Sequence, residues 1–171
     1  ALIDSCPLQY ERLRSNELTM ELLEQGHEKF WVFGNFAALD HNLIPSIVAN
    51  LNYTVLEYDY KYCRYRSPEK HLVAESNPCD CSNELHGKMV SAFLHGAQSL
   101  WWMSEKQQAH YHRLFPFLAE KDSVVLSSVF DDDFFIRVKQ LRDKYPQESR
   151  TKWLVLGAPS WVKGTAAAEQ W

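Results

Sequence analysis

The chain has 171 residues, 46% of them hydrophobic and 13% aromatic, with a formal net charge of −4. That length holds one well-buried core and is short for two ordinary domains. The apolar content argues against a disordered segment, and the acidic balance argues against a general nucleic-acid binder, whose counterion release needs a basic surface.

No apolar run reaches the roughly 18 residues that span a bilayer, and "ALIDSCPLQYERLRS" lacks the basic-then-apolar layout of a signal peptide. A cytoplasmic protein without a transmembrane segment is the expectation. Cys6, Cys63, Cys79 and Cys81 are too few and too irregular for a disulfide scaffold. The chain opens on alanine, which fits a truncated front.

Short apolar runs rich in β-branched and aromatic residues, "KFWVFGNF", "YTVLEYDY", "SLWWMS", "SVVLSSV" and "KWLVLG", alternate with segments of helical period. Strand-helix alternation predicts an α/β fold on a Rossmann-like parallel sheet. Strands that are apolar throughout predict helices on both of its faces. The strands are expected near Phe30–Gly34, Thr54–Tyr58, Leu100–Met103 and Val124–Leu126.

Between them, Asn42 is placed to cap a helix with Leu43, Ile44, Ile47, Val48 and Leu51 on one stripe, Pro45 being tolerated in its first turn. A further helix is expected around Met89 to His95. Ser104 and Gln107 form a capping box before "EKQQAHYHRLF". Asp131 to Asp133 open a helix whose Phe134, Phe135, Val138, Leu141 and Tyr145 share a face, with Lys139, Arg142 and Lys144 toward its negative end.

Residues 59–87 break this rhythm, because they are far longer than an ordinary βα connection. They sit at the carboxyl end of a strand, where open α/β sheets bind ligands. Lys61, Arg64, Arg66, Lys70 and His71 interleave with Tyr60, Tyr62 and Tyr65. The pattern suits a phosphate or carboxylate gripped beside an aromatic platform, or else a solvated basic edge snorkelling over the tyrosines.

Cys63, Cys79, Cys81 and His86 offer the N/S ligands zinc prefers, but their spacing matches no zinc knuckle. No metal is expected on that ground. A nucleophile elbow is absent, and His110 and His112, two apart on a helix, point to different faces near the surface. Trp101 and Trp102 read as core packing.

The terminal "LGAPSWVKG" sets a glycine at a strand end and a Lys-Gly pair at a helix start, a geometry that offers backbone N–H groups and an ammonium to a diphosphate. This stretch resembles the Val-Gly-Arg-Leu-x-x-x-Lys-Gly segment that opens the donor domain of retaining GT-B glycosyltransferases. "VVLSSVFDDDFF" is similar to that family's interdomain stretch, and "SLWWMSEKQQAHY" to the strand and helix before it, in the same order.

The resemblance implies the N-terminal half of a GT-B fold: residues 1–150 as the acceptor-side Rossmann-like domain and 151–171 as the start of a truncated donor domain. It implies a glycosyltransferase that moves a sugar from a nucleotide diphosphate sugar to a hydroxyl acceptor with retention, without a cofactor or essential metal. Gly157, Ser160, Lys163 and Gly164 would hold the donor phosphates, and Asn35, Asp59, Lys61, Arg64, Arg66 and His71 would line the acceptor-side cleft.

The family's arginine falls on Ala158, and its Pro-Asn-Gly is replaced by Leu126, Ser127 and Ser128. Its donor-side carboxylate pair would lie beyond Trp171, so the fragment alone is expected to be inactive and to self-associate through its last strand. A non-catalytic nucleotide- or phosphate-binding α/β module and a zinc-stabilised interaction domain are the alternatives.

Overall fold

The computed structural model describes residues 6–127 and 130–145. The chain divides into two compact units, one of Cys6–Ser128 and one of Ala1–Ser5 with Val129–Trp171. In the first unit, β1 (Phe30–Phe33), β2 (Asn52–Glu57), β3 (Ser99–Trp102) and β4 (Ser123–Val125) form a four-stranded sheet in that order. Every pairing is parallel, with Phe33 beside Val55, Val55 beside Leu100 and Trp102 beside Val125. This is the Rossmann-like α/β sheet that the alternation of strands and helices predicts.

The helices are α1 (Met20–Gln25), α2 (Ile44–Asn50), α3 (Pro68–Glu75), α4 (Leu85–Gly96) and α5 (Glu105–Leu114). Sequential strand order with right-handed crossovers sends α2, α4 and α5 to one face of the sheet. Side chains confirm the placement. Phe93 of α4 meets Phe33 and Tyr53, Tyr111 of α5 lies against Trp102, and Ile47 of α2 belongs to the same buried cluster.

Tyr53 also donates a 2.6 Å hydrogen bond to the Phe93 carbonyl, and a Cβ on Gly96 would lie 2.5 Å from the Tyr53 hydroxyl, so α4 ends hard against β2. On the other face Phe30, Val32 and Val124 are about half exposed, and Thr54 and Ser99 hydroxyls bond across the strands at 2.8 Å. Thr54 and Leu56, on that same face, are nonetheless buried.

Local signals fix the helix ends. Asp40, rather than Asn42, caps the turn that leads into α2, its carboxylate accepting from the Asn42 N–H. Ser104 caps α5 by accepting from the Gln107 N–H. Gln107 reaches one residue further back than a capping box requires: it accepts from the Met103 N–H and donates to the Asp59 carbonyl, tying α5 to the end of β2.

The second unit contributes α6 (Asp132–Lys144), capped by Asp131 with Asp132 and Asp133 in its first turn and Arg142 and Lys144 in its last, as the helix dipole favours. Its Phe134, Phe135, Val138 and Leu141 are exposed. Residues 151–171, with the expected donor-phosphate group Gly157, Ser160, Lys163 and Gly164, lie outside the described residues.

Candidate functional site

The long connection after β2 is ordered by buried charge. Glu57 ends the strand inside the core and accepts from the Asp59 N–H at 2.9 Å and from Lys61 Nζ at 3.2 Å. Lys61 is itself buried; its ammonium lies 3.6 Å from Asp59 Oδ2 and 4.9 Å from the centre of the Phe36 ring. Burial pushes the Glu57 carboxyl up to about 7, against the opposing pull of Lys61.

Asp59 in turn receives both Nε and Nη2 of Arg66, at 3.0 and 2.6 Å, and Arg64 pairs with Glu84. The cations read from the sequence as a basic patch are therefore matched to carboxylates: Lys61 to Glu57 and Asp59, Arg66 to Asp59, Arg64 to Glu84. Arg66 holds a left-handed backbone (φ 59°), a conformation that costs a residue with a side chain about 1–2 kcal/mol. It closes a tight turn in which the Arg66 N–H donates to the Cys63 carbonyl.

Lys61, Arg64 and Arg66 line a shallow pocket with Phe36, His41 and His86. All six follow the carboxyl ends of β1 and β2, the sheet edge where the sequence places the ligand-binding loop. The four described strands run in order without a reversal, so a long loop makes this pocket and not a topological switch point.

His41 and His86, absent from the sequence-predicted cleft, lie with ring centres 4.9 Å apart and planes tilted by 37°. Burial, then the neighbouring His86, lowers the pKa of His41, with Asp40 opposing. His86 Nε2 donates to the Lys61 carbonyl at 2.7 Å, since a carbonyl can only accept. Only their position after β1 and at the start of α4 marks these two in the sequence.

Three predicted cleft residues stand outside the lining, and Asp59 is one of them, reaching the pocket through its contacts with Arg66 and Lys61. Asn35 is exposed and outside the pocket lining, its side chain accepting from the Ala37 N–H. His71 turns away from the cleft into a buried cluster, where Nδ1 lies 3.7 Å from Cys63 Sγ and 3.4 Å from Cys81 Sγ. Cys79 joins them, and the four potential ligand atoms all fall within 4.8 Å of one another. Burial pushes the Cys79 thiol up to about 12, and the adjacent Cys63 and Cys81 sulfurs add to the shift. His86, the histidine that spacing alone groups with these cysteines, is not among them.

Of the two α5 histidines, neither is fully at the surface. His110 is half-buried, joined to the Tyr62 hydroxyl at 2.7 Å and to Arg113 at 2.9 Å, and His112 Nε2 is buried. Trp102 is in the core as expected. Among the described residues no helix is long and apolar enough to cross a membrane. No family model matches the chain, and no match is found among curated proteins or solved structures.

Chemically, the pocket offers a buried lysine, two arginines that are about half exposed and two imidazoles on one sheet edge, with the carboxylates of Asp59 and Glu84 held by the arginines. Imidazole nitrogens suit hydroxyl groups, which can donate to them or accept from them. The arginines suit an anion only where it can compete with Asp59 and Glu84.

Proposed function

We propose that residues 1–150 form the acceptor-side domain of a retaining glycosyltransferase that uses a nucleotide diphosphate sugar, with Lys163 in the donor-phosphate segment. The observation that carries this reading is the pocket at the carboxyl edge of a parallel sheet, which His41, His86, Lys61, Arg64 and Arg66 line, with Asp59 as the partner of Arg66. The imidazoles orient an acceptor hydroxyl, and the arginines grip an adjoining acidic group. The order of the motif segments toward "LGAPSWVKG" supports the same reading. Stabilisation of the leaving diphosphate would fall to Lys163 and the N–H groups around it.

The test is turnover by protein expressed from the natural reading frame extended past Trp171. A panel of uridine, guanosine and adenosine diphosphate sugars is offered with mixed hydroxyl acceptors, and release of nucleoside diphosphate is followed. Acceptor-dependent release that Lys163→Ala abolishes, and for which Arg66→Ala raises the acceptor KM with little change in kcat, is the expected result. Nucleotide binding without turnover of any donor would move the reading to a non-catalytic nucleotide- or phosphate-binding module.

A further inference from the structure

We propose that Cys63, His71, Cys79 and Cys81 bind one zinc(II) ion in a closed, structural site. This inference stands apart from the glycosyltransferase reading, because it rests only on the geometry of the loop between β2 and α4.

The distances fit a tetrahedron. Zinc bonds of about 2.3 Å to sulfur and about 2.05 Å to nitrogen imply ligand-to-ligand edges of about 3.8 Å between sulfurs and about 3.6 Å from sulfur to nitrogen. His71 Nδ1 stands 3.7 and 3.4 Å from two of the sulfurs, and no two of the four ligand atoms are more than 4.8 Å apart. Three thiolates and one imidazole complete four-coordination, which leaves no position for water or substrate and marks a structural rather than a catalytic ion.

The local backbone brings these residues together for separate reasons. Cys63 is held by the turn that bonds its N–H to the Tyr60 carbonyl at 2.9 Å. His71 is in the first half of α3, whose start is fixed by Ser67 accepting from the Lys70 N–H. Cys81 opens a short 3-10 turn, Cys81–Asn83, on which α4 is seated so closely that a Cβ on Gly87 would fall 2.0 Å from the Cys81 carbonyl oxygen.

Rival readings of the cluster fail on burial and stoichiometry. Cys63 and Cys81 are fully buried and His71 nearly so, which leaves the partly buried Cys79 as the one thiol of the cluster within reach of solvent and disfavours a Cys-His nucleophile. A disulfide would consume two sulfurs and leave the third beside an imidazole with no function. Zinc binding instead uses all four groups: three thiol protons pass to solvent and the neutral imidazole gives its lone pair, so the centre carries a net charge of −1. Arg64, which reaches Cys81 as well as Glu84, is the cation placed to offset it. Cys63 and the α3 start bracket Arg64 and Arg66, so the ion would also set the arginines that line the pocket.

The test uses the 171-residue chain, purified without a histidine tag and analysed by plasma mass spectrometry. About one zinc per chain is expected. Exchange with cobalt(II) should give the intense visible bands of tetrahedral cobalt together with thiolate-to-cobalt charge transfer. Cys79→Ser should weaken zinc binding on the order of tenfold or more, whereas His86→Ala should keep the full complement. If Cys79→Ser does not fold, titration of the wild-type chain with an organomercurial, with a zinc-sensitive dye present, should release the ion in step with capture of the three thiols of the cluster. A metal-free chain with freely titrating or disulfide-paired cysteines, a chain that carries iron in place of zinc, cobalt spectra without sulfur charge transfer, or equal zinc loss in His86→Ala would each overturn the proposal.

Discussion

Glu57 is a carboxyl group that folding carries from water into the core. Its pKa rises from an ordinary 4.5 to about 7 because burial penalises the anion more than Lys61 rewards it. The folded state therefore holds this proton more tightly than the unfolded state, and stability falls as pH rises from about 4.5 to about 7, then levels off. The shift corresponds to a loss on the order of 3 kcal/mol across that window. Glu57→Gln keeps the shape and cannot ionise, so denaturant unfolding at pH 5 and pH 8 should show a smaller alkaline loss in the variant than in the wild type. Comparing the two proteins at each pH cancels any other titrating group, the cysteine cluster included, and parallel pH profiles would remove the argument.

Single residues were also the hardest to read from the sequence. Lys61, Arg64 and Arg66 are legible as cations in a loop at a strand's carboxyl end, but nothing in their spacing tells that Glu57, Asp59 and Glu84 already engage them. The cysteine cluster shows the same limit. Cys63, Cys79 and Cys81 stand out by type, yet whether His71 or His86 joins them depends on α3 folding back across the loop, which is a tertiary fact. His86 is nearer to Cys81 in sequence and is spent on the Lys61 carbonyl.

At the scale of elements the pattern was far more explicit. The first four of the five runs of β-branched and aromatic residues are the four described strands, the fifth lying outside the described residues, and Ser104 and Asp131 cap the helices they precede. A run such as "FWVF" is apolar on both sides, although α2, α4 and α5 all pack on one of them. Val32 and Val55 separate the faces cleanly: they occupy neighbouring strands, but Val32 is 53% exposed and Val55 fully buried. Val55→Ala should cost about 2 kcal/mol in lost burial and a residual cavity. Val32→Ala should cost no more than about 0.5 kcal/mol. Urea midpoints of the two variants measure the contrast, and equal losses would mean that the second face is as well covered as the first.

Over the whole molecule, the alternation of elements was enough to specify a parallel sheet, because right-handed crossovers leave few other ways to connect such strands. The division of the chain was not legible in the same way, since composition changes little between residues 120 and 150. The unit Cys6–Ser128 holds all four strands, every residue of the main hydrophobic cluster and all four members of the cysteine-histidine cluster. At about 120 residues it is large enough to bury a core of its own. A chain cut after Ser128 should therefore unfold in one cooperative transition and keep its complement of zinc. Leu56 is the residue at risk, being buried yet outside the main cluster, on the face where Val32 and Val124 are half exposed. Calorimetry and metal analysis of the shortened chain address both points together. A cooperative transition with zinc retained establishes the unit as the folding domain, whereas a broad, non-cooperative melt would mean that residues after Ser128 complete its core.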